Sequence, residues 1–374
     1  VTMVLSGLVV ADFSRVLAGP YATMLLADLG ADVVKVERPG VGDDTREWGP
    51  PYAPGGEATY FLGVNRNKRS IALDLRADAE VARALAARAD VLVENFRPGT
   101  MDRLGLGYDA LRELNPGLVY CSITGFGSGP GAALPGYDLI AQAVGGLMSV
   151  TGEPDGPGTK VGVALVDVIT GLHAALGILA ALRHRDSTGE GQRVEVSLLS
   201  SLLSALTNQA SAYAAAGVVP RAMGNRHPSI VPYEVFETAD RPLVIAAGND
   251  RLFQALCGAL GRPDLAEDAR YATNAGRVAA RADLVAELNA ALRERPADEW
   301  FELLTAAGVP CGPINDLAAA FALATDLGLE PAVELGGVGQ VANPIRLSAT
   351  PPAYRLPPPG LGQDEAWVRE ILGP

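Results

Sequence analysis

Short apolar runs separated by amphipathic stretches dominate the first third of the chain. Leu8–Phe13 (LVVADF), Asp32–Glu37 (DVVKVE), Ser70–Leu75 (SIALDL), Asp90–Glu94 (DVLVE) and Leu118–Thr124 (LVYCSIT) have the length and near-continuous hydrophobicity of buried strands. Helical spacing follows the first of these from Tyr21 to Leu29, and Ala77–Arg88 carries it again. Strands alternating with helices predict an α/β fold with a parallel sheet covered on both faces. Ligands of such sheets collect at the carboxyl ends of the strands. SRVLAGP, ERPG, ENFRPG and GFGSGPG all occupy such ends.

The pattern changes further along. An apolar run, VGVALV, meets Asp167 and then a helical stretch from Val168 to Leu182. A second long helix is expected over residues 198–217, then an irregular segment from Val218 to Pro232. Short strands at Tyr233–Thr238 and Leu243–Ala247, with helices at Asp250–Leu260 and Ala279–Arg293, predict a smaller α+β unit ending near CGPIND. The remainder is extended and proline-rich, closing on a helix at Asp364–Leu372. The expected division is 1–200 for a large domain, 201–224 for a linking helical region, 225–325 for the small domain, and 326–374 for the return to the large one.

At 374 residues the chain can form two domains with a sizeable core. A net charge of −13 argues against nucleic acid as the main ligand, since no basic surplus exists to neutralise phosphates. Lysine occurs only at Lys35, Lys68 and Lys160. Cys121, Cys257 and Cys311 are far apart and match no metal-binding spacing, which points to a reducing cytoplasm. The first residues lack the pattern of a signal peptide, and the Val168–Leu182 stretch is too short to cross a bilayer. A soluble, cytoplasmic protein is expected, without membrane association.

Candidate chemistry centres on the loops and on Asp167. No G-x-G-x-x-G follows the first strand, and GFGSGPG has the wrong spacing for one. That glycine loop instead predicts unusual backbone angles or a close approach to a ligand. Arg15 and Arg38 directly follow buried strands, where an anion would dock. Asp167 admits two readings. It is either the N-cap of the following helix or a nucleophile held at a helix N-terminus.

Several segments together resemble the class III coenzyme A transferases, the group of formyl-CoA transferase and, as a divergent branch, alpha-methylacyl-CoA racemase. They are ADFSRVLAGP, DVVKVERPGVGDDTREWGP, NRNKRSIALDL, VENFRPGTMDRLGLGYD, ITGFGSGPG, PGYDLIAQAVGGLMSVTGEPDG, the block around Asp167 with GEGQRVEVSL, GVPCGPIND and NPIRLS…LGQ. Each is weak alone; the ordered set, spread over nearly the whole chain, is specific. The resemblance implies a Rossmann-like large domain formed from both chain ends, a smaller inserted domain, and an interlocked homodimer. It aligns Asp167 with the family's catalytic aspartate, which passes CoA through an anhydride and an aspartyl-CoA thioester. CoA and acyl-CoA are then substrates, with no permanently bound cofactor and no metal.

The CoA-contacting positions implied by the resemblance are Arg15, Val16, Leu17, Ala18, Arg38, Leu73, Arg76, Asn95, Phe96, Arg103 and Tyr137. Trp48 is expected to line the acyl pocket. The racemase branch has a histidine where this chain has Tyr137, a poor proton acceptor, so the reading favours transfer over 2-methylacyl-CoA racemisation or CoA binding without catalysis. Leu17 and GNRHPSIVPY depart from formyl-CoA transferase and point away from oxalate and formate. The latter segment is more like the transferases that exchange CoA between succinate and other dicarboxylates such as glutarate. Arg226 and His227 within it are candidates to pair with a remote substrate carboxylate.

Overall fold

A computed structural model of the chain describes residues 3–373. Six strands, β1 (Val9–Asp12), β2 (Asp32–Glu37), β3 (Lys68–Ala72), β4 (Val91–Glu94), β5 (Val119–Thr124) and β6 (Arg193–Ser197), form one sheet ordered β3-β2-β1-β4-β5-β6. Every neighbouring pair in it is parallel. This is the order of dinucleotide-binding sheets, whose ligand crevice opens where the order reverses, between β1 and β4.

Alternation along the strands serves both faces. Val10, Val33, Val91, Val93, Val119 and Cys121 pack with Ala22 and Leu26 of the first helix (Ala18–Asp28) and Ala174, Ile178 and Leu182 of a long helix (Leu165–Thr188). Ala11, Val34, Val36, Leu92 and Tyr120 point the other way, onto Ala82, Leu85, Leu111 and Val368. Burial on both sides is why these strands read as continuous apolar runs.

Some elements depart from the sequence pattern for physical reasons. The first helix begins at Ala18, three residues early, with Pro20 in its first turn, where a missing N–H costs nothing. β3 starts at the buried Lys68, so hydrophobicity cannot mark its beginning. β6 was not anticipated. It lies at the sheet edge, alternating the exposed Arg193 and Glu195 with Val194 and Val196. The single helix expected over 198–217 is two, Leu198–Ala205 and Thr207–Ala216, broken where Thr207 takes a positive φ of 38°. The helix bearing Asp167 has 24 residues, and by length and composition it is apolar enough to cross a membrane, contrary to the expectation. Its buried Ala174, Ala175, Ile178, Ala181 and Leu182 pack against the first helix and the sheet, while Val166 packs with Ala141, Leu198 and Leu202.

The chain forms two compact units. One runs through Met148, resumes at Lys160–Val219, and takes in the chain again from Glu330; the other comprises Ser149–Thr159 and Pro220–Leu329. In the first, the returning chain is tied by polar contacts around the buried Asp28. Arg66 pairs with it at 2.6 Å, and Asn67 and Asn343 donate to it. The second unit has a three-stranded antiparallel sheet (Tyr233–Phe236, Leu243–Ala246, Cys311–Pro313) over a core including Phe236, Phe253, Leu256, Leu288 and Trp300. Its helix Leu317–Asp326 buries none of its residues.

Candidate active site

The loop after β1 is fixed by side chains from distant parts of the first unit. Asn95, just past β4, accepts from the Arg15 N–H at 2.9 Å and donates to the Arg15 carbonyl at 2.7 Å. Val16 takes φ +70°, the left-handed region that a β-branched residue avoids. Its N–H donates to both carboxylate oxygens of Asp43, at 3.2 and 3.3 Å. Asp43 is paired at 2.8 Å with Lys35, both side chains fully buried. Burial alone would raise the Asp43 pKa, but the Lys35 ammonium and the Thr45 donors overcome it and hold the carboxyl at about 2. A buried ion pair thus anchors the bend that starts the first helix.

A cavity of about 940 Å³ opens on one side of this loop, lined by Arg15, Arg38, Leu73, Arg76, Phe96 and Arg103 among others. The Arg15 guanidinium lies 5.2 Å from the Phe96 ring centroid, and its buried Nε has no hydrogen-bond partner among the described residues. Arg15 and Arg38 both reach the Asp44 carboxylate. Arg103 donates to Thr100, and Arg76 is exposed. Four arginines around one cavity suit a polyanion.

A narrower space of about 210 Å³ shares Arg15 and Phe96 with this cavity, and is lined by Val16, Leu17, Ala18, Asn95, the glycine loop, Tyr137 and Asp167. A third, of about 520 Å³, shares Val16, Leu17, Tyr137 and Asp167 with the second and adds Trp48, Tyr60, Asp138 and Lys160. Asp167 therefore borders two adjoining spaces. Trp48 and Tyr60 meet edge to face at 5.3 Å.

The glycine loop approaches its own chain. A Cβ on Gly125 would stand 2.6 Å from the Gly136 Cα, so the two backbones touch just before Tyr137 and Asp138. Gly127 adds a φ of +85°. The unusual backbone angle expected of this loop is present at Gly127, and the loop lines the space that Asp167 borders.

Asp167 sits in the first turn of the long helix, half-buried, and does not cap it. Asp138 does. Its Oδ1 accepts from the backbone N–H groups of Val166 at 2.8 Å and Asp167 at 3.1 Å. Its other oxygen accepts from the buried Gln142 amide at 2.6 Å, and Gln142 in turn accepts from the Val161 N–H. Burial first, and the Asp138 charge second, push the Asp167 pKa up to about 7. Tyr60 is raised to about 12, by burial and then by Asp167, Asp138 and Asp43, so its hydroxyl keeps its proton.

Arg226 and His227 belong to the second unit. Arg226 donates to the Met223 carbonyl, and His227 lies against Tyr233 at 5.2 Å. Sequence reasoning missed Tyr60, Asp138, Gln142 and Lys160. The scarcity of lysine was the one signal that could have found the last.

Comparison with known proteins matches this arrangement to one group. The description "CoA-transferase family III" fits residues 5–365. Succinyl-CoA:glutarate CoA-transferase of Mus musculus is 45% identical over 377 residues, covering 98% of this chain and 86% of the relative. Acetyl-CoA:oxalate CoA-transferase of Acetobacter aceti is 43% identical over 369 residues, covering 97% of this chain and 94% of the relative. The crystal structure of a CAIB/BAIF family protein from Brucella suis superposes with a TM-score of 0.89 at 43% identity, covering 100% of both chains. With the match running almost end to end, the chain belongs to CoA-transferase family III.

Proposed function

We propose that this enzyme moves CoA between an acyl-CoA and a dicarboxylic acid, with Asp167 as the covalent carrier. The observation that carries the reading is the position of Asp167, between a space that continues into an arginine-rich cavity and a second one walled by aromatic side chains. CoA is long and ends in phosphates, and Arg15, Arg38, Arg76 and Arg103 are assigned to them. Leu73 and Phe96 are assigned to the adenosine, with Val16, Leu17, Ala18, Asn95 and Tyr137 along the pantetheine. Trp48 and Tyr60 wall the acyl side.

The ionised Asp167 attacks the thioester carbonyl, and the C–S bond breaks to give a mixed anhydride and CoA thiolate. The thiolate attacks the aspartyl carbonyl, forming Asp167–CoA thioester and expelling the donor carboxylate. The acceptor carboxylate then attacks that thioester to give a new anhydride and CoA thiolate. Attack of the thiolate on the acceptor's acyl carbon yields the new acyl-CoA and restores Asp167. Every step exchanges one acyl bond for another, so no net proton transfer is needed. The first helix has no side-chain cap, so its leading N–H groups near Leu17 and Ala18 are suited to stabilise the oxyanions. A carboxyl raised to about 7 is also a stronger nucleophile, once ionised, than an ordinary aspartate.

The dicarboxylate class follows the glutarate in one relative's name; the oxalate in another's is also a dicarboxylate, and runs against the expectation drawn from Leu17 and GNRHPSIVPY. A homodimer is part of the proposal. The outward Leu172 and Leu176 of the long helix and the wholly unburied Leu317–Asp326 helix support it, since apolar surface of this kind is what subunits cover. The test is to incubate the enzyme with succinyl-CoA and hydroxylamine and locate the modified residue by mass spectrometry. A hydroxamate at Asp167, and loss of transfer with retained CoA binding in Asp167→Ala, are expected. Transfer at full rate by Asp167→Ala overturns the reading.

A further inference from the structure

The space on the acyl side of Asp167 is lined by two carboxylates, Asp138 and Asp167, and by a single cation, Lys160. A substrate carrying a second carboxylate would enter against this negative charge unless something offset it. The other two lysines of the chain are committed elsewhere. Lys35 and Lys68 are fully buried and paired with Asp43 and Asp12. Lys160 is exposed, and among the described residues its ammonium is given only the carbonyl of the adjacent Val161, at 3.2 Å.

The root of this side chain is not loose. The Val161 N–H donates to Gln142 at 2.9 Å, Gln142 donates to Asp138 at 2.6 Å, and Asp138 caps the helix turn carrying Asp167. One chain of hydrogen bonds thus links the base of the cation to the nucleophile.

We propose that Lys160 recognises the remote carboxylate of the acyl group, so that the enzyme selects α,ω-dicarboxylates over monocarboxylates of equal length. The acyl carbonyl is held at Asp167 while the free carboxylate pairs with the ammonium. This deepens the proposed function and rests on it.

The test compares kcat/KM for matched acceptor pairs, succinate against butyrate and glutarate against valerate, with acyl-CoA as donor. Lys160→Gln is expected to lower the dicarboxylate-over-monocarboxylate ratio about 10- to 100-fold, the size of one charge-assisted hydrogen bond, chiefly through KM for the dicarboxylate. Lys160→Arg should recover most of the ratio, and Lys160→Glu should lower it further than Gln. Because the side chain is exposed, circular dichroism should show all three variants folded. A ratio within about twofold of wild type in Lys160→Gln overturns the assignment, as does an equal loss with both acids of each pair. Wild-type enzyme that passes CoA to none of these acids overturns the proposed function itself.

Discussion

Gly171 stands one helical turn beyond Asp167 on the long helix, and a Cβ there would lie 2.6 Å from the Ala18 carbonyl oxygen and 3.2 Å from the Tyr21 ring. A carbon rests against a carbonyl oxygen at about 3.3 Å or more, so Gly171→Ala must push the two helices apart by about 0.7 Å at that point. The displaced element is the start of the first helix, which borders Asp167. Two terms act on stability. Alanine favours the helix by about 0.8–1 kcal/mol over glycine, and overpacking costs about 1–3 kcal/mol. The net is a loss of up to about 2 kcal/mol, or a fall in Tm of up to about 4 °C for a unit of this size. Misplacement of this size at a reacting centre should lower kcat about 10- to 100-fold. Steady-state rates with succinyl-CoA and a dicarboxylate, beside a thermal melt, measure both. Gly258→Ala is the control, because the added Cβ meets nothing within 4 Å in the helix Asp250–Ala259. It should stabilise without slowing transfer. If Gly171→Ala behaves like this control, the tight contact does not set the geometry of the site.

Two further outcomes follow from the charges. With Asp167 at about 7, kcat/KM should rise with pH through that value as the nucleophile ionises. Asp138→Asn removes the neighbouring charge and should move the rise to lower pH; an unmoved midpoint would show that Asp138 acts on Asp167 only through the helix cap. Asp43→Ala would leave the buried Lys35 ammonium unpaired, costing about 3–5 kcal/mol in urea unfolding at neutral pH. Because the folded Asp43 titrates near 2 rather than 3.8, its stabilisation is present above about pH 4 and is lost as pH falls towards 2. Equal urea midpoints for wild type and variant at pH 7 would contradict this.

Hydrophobic runs by themselves determined five of the six sheet strands, because a strand buried on both faces must be apolar throughout. They also determined the loops at the strand ends, and with them Arg15 and Arg38, whereas Phe96 came with the family resemblance; that all three line one cavity is seen only in the structure. The ordered motifs determined the family and singled out Asp167. Tertiary structure decided what surrounds that carboxylate. Which acid caps the long helix, Asp138 rather than Asp167, depends on a contact across 28 residues of chain. That Asp43 holds Val16 depends on one across 27. Of three lysines, only folding separates the two locked in buried pairs from the one facing the acyl space. Local patterning records what each residue must bury, whereas charge partners are chosen by proximity, and proximity between distant segments exists only once the sheet has formed.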